Sequence, residues 1–163
     1  MYNVFHSLSI SLTKDIYQQN CLEAMSLPSK CDSYSIFKKC KYTEKYLSCV
    51  TVEKFRICLA RFRCSSHHLL IEKGRFTNIK RERRICRFCN DGDIENEYNF
   101  LLVYSAYNAL RKKYIKEYYY VHPSLEKFSP LLNCQNDNII QNLAMFLHYA
   151  MLIRQNGVLS NVM

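Results

Sequence analysis

The sequence predicts a mainly α-helical fold: an irregular helical domain with a short β-hairpin, or knuckle, at one Cys-x2-Cys pair. Three observations lead there. Glycine and proline number three each in 163 residues, too few for a many-turned β-sandwich. Apolar residues make up 48% of the chain against 23% charged, which suits a folded core and not a disordered chain. Apolar positions recur with helical spacing, most clearly at Phe55, Cys58, Leu59 and Phe62. The length suits one domain, from 28 to 155, preceded by a helical segment over 1–27 and followed by a tail over 156–163.

The first segment repeats apolar residues at Leu8, Leu12, Ile16, Leu22 and Met25, and "SLPSKCD" stops it at Pro28. Tyr34 to Val50 reads as a helix with a break. The clearest helix runs from Thr51 to about Cys64, with Thr51 as the expected cap and Glu53 placed against the dipole. Its apolar stripe is flanked by Lys54 and Arg61 on one side and by Arg56 and Arg63 on the other. "SSHHLLIEKGRF" predicts a short helix through Leu69 to Ile71, ended by Gly74. His67 and His68 suit a capping or half-buried role there. The Asp91-Gly92 pair suits a hairpin turn. From Ile94 a short helix with acids in its first turn is expected, and then "SAYNALRKKYIKEYYY" as one amphipathic helix burying Tyr107, Leu110, Tyr114 and Tyr118. Ser124 caps a brief helix ending near Pro130. Asp137 caps the last helix, 138–155, which is apolar nearly all round and therefore the most buried.

Charge is unevenly spread. The net charge is +9, and from Thr51 to Arg87 eleven Lys and Arg stand against Glu53, Glu72 and Glu82. The next segment, Phe88 to Tyr104, carries Asp91, Asp93, Glu95 and Glu97 with no base. A basic block suits a polyanion such as nucleic acid, and a solvated surface is the plainer alternative. The candidate contacts are Arg56, Arg61, Arg63, Lys80, Arg81, Arg83, Arg84 and Arg87. Phe76 and Phe88 lie beside them, and core packing is the expected role of both. Nine cysteines without a secretory pattern point to a reduced, intracellular chain, nuclear or cytoplasmic, with no membrane span.

Cys86 and Cys89 have the spacing of half a zinc knuckle, whose structural form needs four protein ligands. Ten residues on from Cys89 stands Asn99, and five further on Tyr104. Asn is a poor zinc ligand, and a tyrosine must first lose a proton at a pKa near ~10. Zinc here would need substitutes such as Cys64, His67, His68 or Asp93. Two buried cysteines in a hairpin is the simpler reading, so no cofactor is expected. A redox pair lacks its strand–CxxC–helix context.

The ordered stretch "LARFRCSSHHLLIEKGRFTNIKRERRICRFCNDGDIENEYNFLLVYSAYNALRKKY" resembles the segment downstream of the reverse transcriptase domain in non-LTR retrotransposon polyproteins of animals. The likeness covers Ser29 to about Gln155. In that family a "RxRxSSHxLxIExGR" stretch leads into C-x2-C, an acidic "ENEYHFLLxC" helix and a "Y..LRxKY" helix. The resemblance implies His at the place of Asn99 and Cys at that of Tyr104, so Cys86 and Cys89 would be a vestigial half of the site. It also implies that the polymerase lies upstream. This chain has no Asp-Asp pair, no H-E-x-x-H and no glycine-rich phosphate loop. The expectation is therefore a non-catalytic accessory module that binds RNA or DNA without sequence preference. The alternatives are a helical domain that pairs with another protein or with itself, and a retroelement fragment without function.

Overall fold

A computed structural model describes residues 44–88 and 92–160. The expected helix over 1–27, the first part of the stretch Tyr34 to Val50, Cys89, Asp91 and the last residues of the tail lie outside them. Among the described residues the fold is mainly helical. The helices are α1 (Tyr46–Cys49), α2 (Glu53–Arg63), α3 (Leu70–Phe76), α4 (Asn108–Tyr114), α5 (Glu117–Tyr120), α6 (Leu125–Leu132) and α7 (Asp137–Ser160). Short 3-10 turns cover Arg81–Arg83 and Ser105–Tyr107, and a π-helical turn covers Asn99–Val103.

α7 is the axis of the fold because its apolar residues leave little room for a solvent face. Ile140, Leu143, Ala144, Phe146, Leu147 and Ala150 are buried, and α2, α4 and α1 all pack on the helix. It begins at Asp137, one residue earlier than expected. The cap is Asn136, whose side chain accepts the Ile139 N–H at 3.2 Å. Asp137 pairs with Lys45 at 2.7 Å instead.

α2 presents the expected stripe: Leu59 and Phe62 are buried, and Phe55 and Cys58 pack beside them. Its first turn takes no side-chain cap, so Thr51 does not play the role its type suggests. Phe62, Phe100, Tyr107 and Phe146 form a chain of ring contacts through the core, with centroids 4.8 to 6.5 Å apart.

The long helix expected from Ser105 to Tyr120 is broken. Ile115 is extended (φ −108°, ψ 133°), which separates α4 from α5. The break turns Ile115 into the core and leaves Tyr118 exposed, reversing what a straight amphipathic helix would do. Gly74 does not end α3, which runs on to Phe76. A side chain at Gly74 would meet the Arg84 Cδ at 2.8 Å, so the glycine makes room for an arginine lying across the helix.

The expected β-hairpin is not present as strands among the described residues. An isolated antiparallel bridge joins Ile85 to Ile94. It is flanked by Cys86 N–H to Asp93 O at 3.2 Å and Glu95 N–H to Arg84 O at 2.7 Å. The pairing stops there because Glu95 turns inward and the chain enters a helical turn at Glu97.

Candidate nucleic-acid interface

The eight basic residues of the predicted surface do not share one environment. Arg63 is buried, and its NH1 donates to the Leu132 carbonyl at the end of α6. Its NH2 pairs with Glu44 at 2.8 Å, and the guanidinium lies 5.5 Å from the Tyr46 ring centroid. A cation at a helix C-terminus satisfies an orphan carbonyl and opposes the negative end of the dipole. Arg63 therefore does not belong to a solvent-facing row. Arg84 is half-buried and tied down through Nε to Ile79 O at 2.9 Å and NH1 to Ile71 O at 2.8 Å. Arg56 folds back on the Val50 carbonyl at 2.9 Å.

Arg61 is exposed and edges a cleft of about 360 Å³ between α2 and α7. Ile57, Cys58, Met151 and Leu152 line that cleft, Lys54 and His68 stand with Arg61, and no carboxylate enters its walls. Lys80, Arg81, Arg83 and Arg87 are exposed on the 3-10 turn and the chain on either side of it. The accessible basic surface is thus narrower than the run of charges suggests.

The region around Cys86 has its own geometry. Cys86 is buried, and its Sγ donates to Glu95 Oε1 at 3.8 Å. Asn99 Nδ2 donates to the Ile94 carbonyl at 2.9 Å, and the buried Tyr104 donates its hydroxyl to the Asp93 carbonyl at 3.2 Å. The two positions read as lost ligands thus hold consecutive carbonyls of the segment that follows the cysteines. Both side chains are donors here, whereas a bound zinc would require lone pairs from those positions. Among the described residues no group of three or more His, Cys, Asp or Glu converges as a metal site would require. His67 is held by Glu97 at 3.0 Å, while Cys64, His68 and Asp93 are exposed, so these substitutes do not gather beside Cys86.

The acidic segment proved more informative than its charge. Glu95 and Glu97 are buried, at 1% and 4% exposure. Glu95 accepts Arg154 Nε at 2.5 Å and NH2 at 2.7 Å, and its Oε2 also accepts the Leu70 N–H at 2.7 Å, closing the start of α3. Burial opposes the charge on Arg154, and the bonds to Glu95 outweigh it, so the guanidinium is held above its ordinary pKa. Glu97 Oε1 accepts both the Ser65 hydroxyl at 3.1 Å and His67 Nε2 at 3.0 Å. His67 Nδ1 accepts the Leu69 N–H at 3.4 Å, which assigns the proton to Nε2. This Ser, His and Glu are not a nucleophilic relay: the serine proton goes to the carboxylate, not to the imidazole.

Arg111, at 1% exposure, completes the pattern. Its Nε and NH2 donate to Leu101 O and Tyr104 O at 2.9 Å each, taking carbonyls at the end of the π-helical turn. Burial pulls its pKa down to about 10. Phe88 stacks on Tyr107 with centroids 5.9 Å apart, as core packing predicted. Phe76 does not pack and is 80% exposed.

Comparison with protein-family models, with curated proteins and with solved structures returned no match to this chain. Among the described residues no helix is long and apolar enough to cross a membrane.

Proposed function

We propose that this chain is a non-catalytic accessory module that binds nucleic acid through the turn from Lys80 to Arg87, as the retroelement segment it resembles would imply. The observation that carries the reading is local. Lys80, Arg81, Arg83 and Arg87 are exposed within eight residues, and Glu82 is the one acid among them. Each Lys or Arg placed on a phosphate releases condensed counterions, so such a turn gives affinity without reading sequence. On this reading Cys86 and Cys89 are the remnant of a metal knuckle whose clasping role has passed to Asn99 and Tyr104. The partner is RNA or DNA inside the cell.

The test is the salt dependence of binding by the full chain. The log–log slope should be roughly −0.9 for each duplex phosphate neutralised. Arg81→Glu with Arg83→Glu should weaken binding and flatten the slope. An unchanged slope would place the surface elsewhere.

The α2–α7 cleft favours a second reading, an interaction surface for an acidic amphipathic helix of another protein. Its apolar floor would take such a helix's apolar face, and Lys54 and Arg61 its carboxylates. Titration with a synthetic acidic amphipathic peptide should move the NMR signals of Met151 and His148, and the same peptide with lysines for its acids should not. Equal shifts, or none, would remove this reading.

A further inference from the structure

We infer that Phe76 is a base-stacking platform and that the nucleic acid bound by the Lys80–Arg87 turn is single-stranded; this rests on the reading proposed above. Phe76 is the last residue of α3 and, at 80%, the most exposed of the large apolar side chains described. An exposed aromatic ring with exposed cations a few residues further along the chain is the combination that single-strand binding uses. The cations follow the phosphates, and the ring takes the face of an unpaired base. A duplex keeps its base faces stacked inside and offers the ring nothing comparable.

The ring and the cations stand on one fastened unit. The Ile79 N–H donates to Gly74 O at 2.8 Å, closing the turn after α3, with Asn78 in the left-handed region at φ 55°. Arg84 then reaches back from beyond the 3-10 turn to Ile79 O and Ile71 O, across the surface that Gly74 leaves bare. The helix carrying Phe76 and the turn Arg81–Arg83 therefore cannot drift apart without breaking the Arg84 bond to Ile71 O. A preorganised ring and charges lose little freedom on binding. The residues between them, Thr77 and Asn78, are exposed and polar, and Ile79 is half-buried.

The experiment compares binding of the full chain to a labelled single-stranded oligo(dT) and to a duplex of the same length at one salt concentration. Phe76→Ala and Phe76→Leu should weaken single-strand binding about tenfold and leave duplex binding unchanged, while Phe76→Tyr should keep it near the original. Circular dichroism checks that each variant keeps its helices. Equal losses on both ligands, no loss on either, or full binding by Phe76→Leu would overturn the platform. So would a Phe76→Ala variant whose main effect is to break up an oligomer. If the unaltered chain binds neither ligand, or if Arg81→Glu with Arg83→Glu costs nothing, the nucleic-acid reading itself fails. That failure is distinguishable from the first.

Discussion

The Glu95 carboxylate and the Arg154 guanidinium meet in a buried, two-pronged pair, with Nε to Oε1 at 2.5 Å and NH2 to Oε2 at 2.7 Å. One partner follows the Cys86 turn and the other stands late in α7. The pair fastens the loop region to the central helix, and through the Leu70 N–H it also anchors the start of α3. Removing one partner leaves a buried charge uncompensated, which costs about 3–5 kcal/mol. Glu95→Ala and Arg154→Ala should each lower stability on that scale in urea denaturation. The double variant should cost much less than their sum.

Asn99 and Tyr104 give a smaller and more diagnostic effect. Tyr104→Phe removes the hydroxyl that donates to Asp93 O and should cost about 1 kcal/mol. Asn99→His with Tyr104→Cys removes both bonds and supplies the two donors that the resemblance implies. Without metal it should be less stable than the unaltered chain, and with zinc it should melt higher. A melting temperature indifferent to zinc would mean that the spacing never belonged to a knuckle.

Gly157 lets the Phe88 ring lie against the backbone of α7. A Cβ there would sit 2.0 Å from Phe88 Cε2 and 2.1 Å from Cδ2, far inside contact distance. Gly157→Ala should therefore push the ring off Tyr107 and destabilise by about 1–3 kcal/mol. In a Phe88→Ala background the same change should be neutral or stabilising, since Ala favours a helix by about 1 kcal/mol over Gly. Equilibrium unfolding of the four proteins checks the cycle.

Cys58 and Cys64 should differ in reactivity. Burial pushes the Cys58 thiol up to about 11, whereas Cys64 is exposed at the end of α2. Against an ordinary pKa near 9, the thiolate fraction of Cys58 at neutral pH falls about a hundredfold. Alkylation followed by peptide mass spectrometry should mark Cys64 early and Cys58 late.

His148 sets a pH dependence whose direction is fixed. Its pKa is lowered, first by burial against α2 and then by the nearby Lys54, with Phe55 and Tyr149 packed on the ring. The folded state then binds fewer protons than the unfolded one below the ordinary value of 6.5, so stability falls as pH drops through that region. His148→Gln should flatten this loss between neutral and mildly acidic pH. Denaturant midpoints measured across that range would show it.

Much of the helical framework was legible because apolar spacing reports the face that a helix buries. Phe55, Cys58, Leu59 and Phe62 announced α2, and the near-continuous apolar run announced α7 as the central helix. Residue type alone misled at Thr51 and Gly74. Thr51 suits a cap, but Asn136 shows the role filled elsewhere by a residue that had no such assignment. Gly74 suits a helix stop, yet it is a clearance for Arg84.

The sequence by itself determined the helical class, the central helix and the basic character of the stretch before the cysteines. Only the tertiary structure decided which charges face water. Arg63, Arg84, Arg111 and Arg154 are the same residue type as Arg81 and Arg83, but carbonyls or a carboxylate hold the first four at least half-buried, while Arg81 and Arg83 are exposed. Periodicity describes a helix's own faces, whereas an orphan carbonyl belongs to a neighbour that the local pattern does not contain. The same holds for Phe76, whose 80% exposure at the end of α3 no local pattern announces.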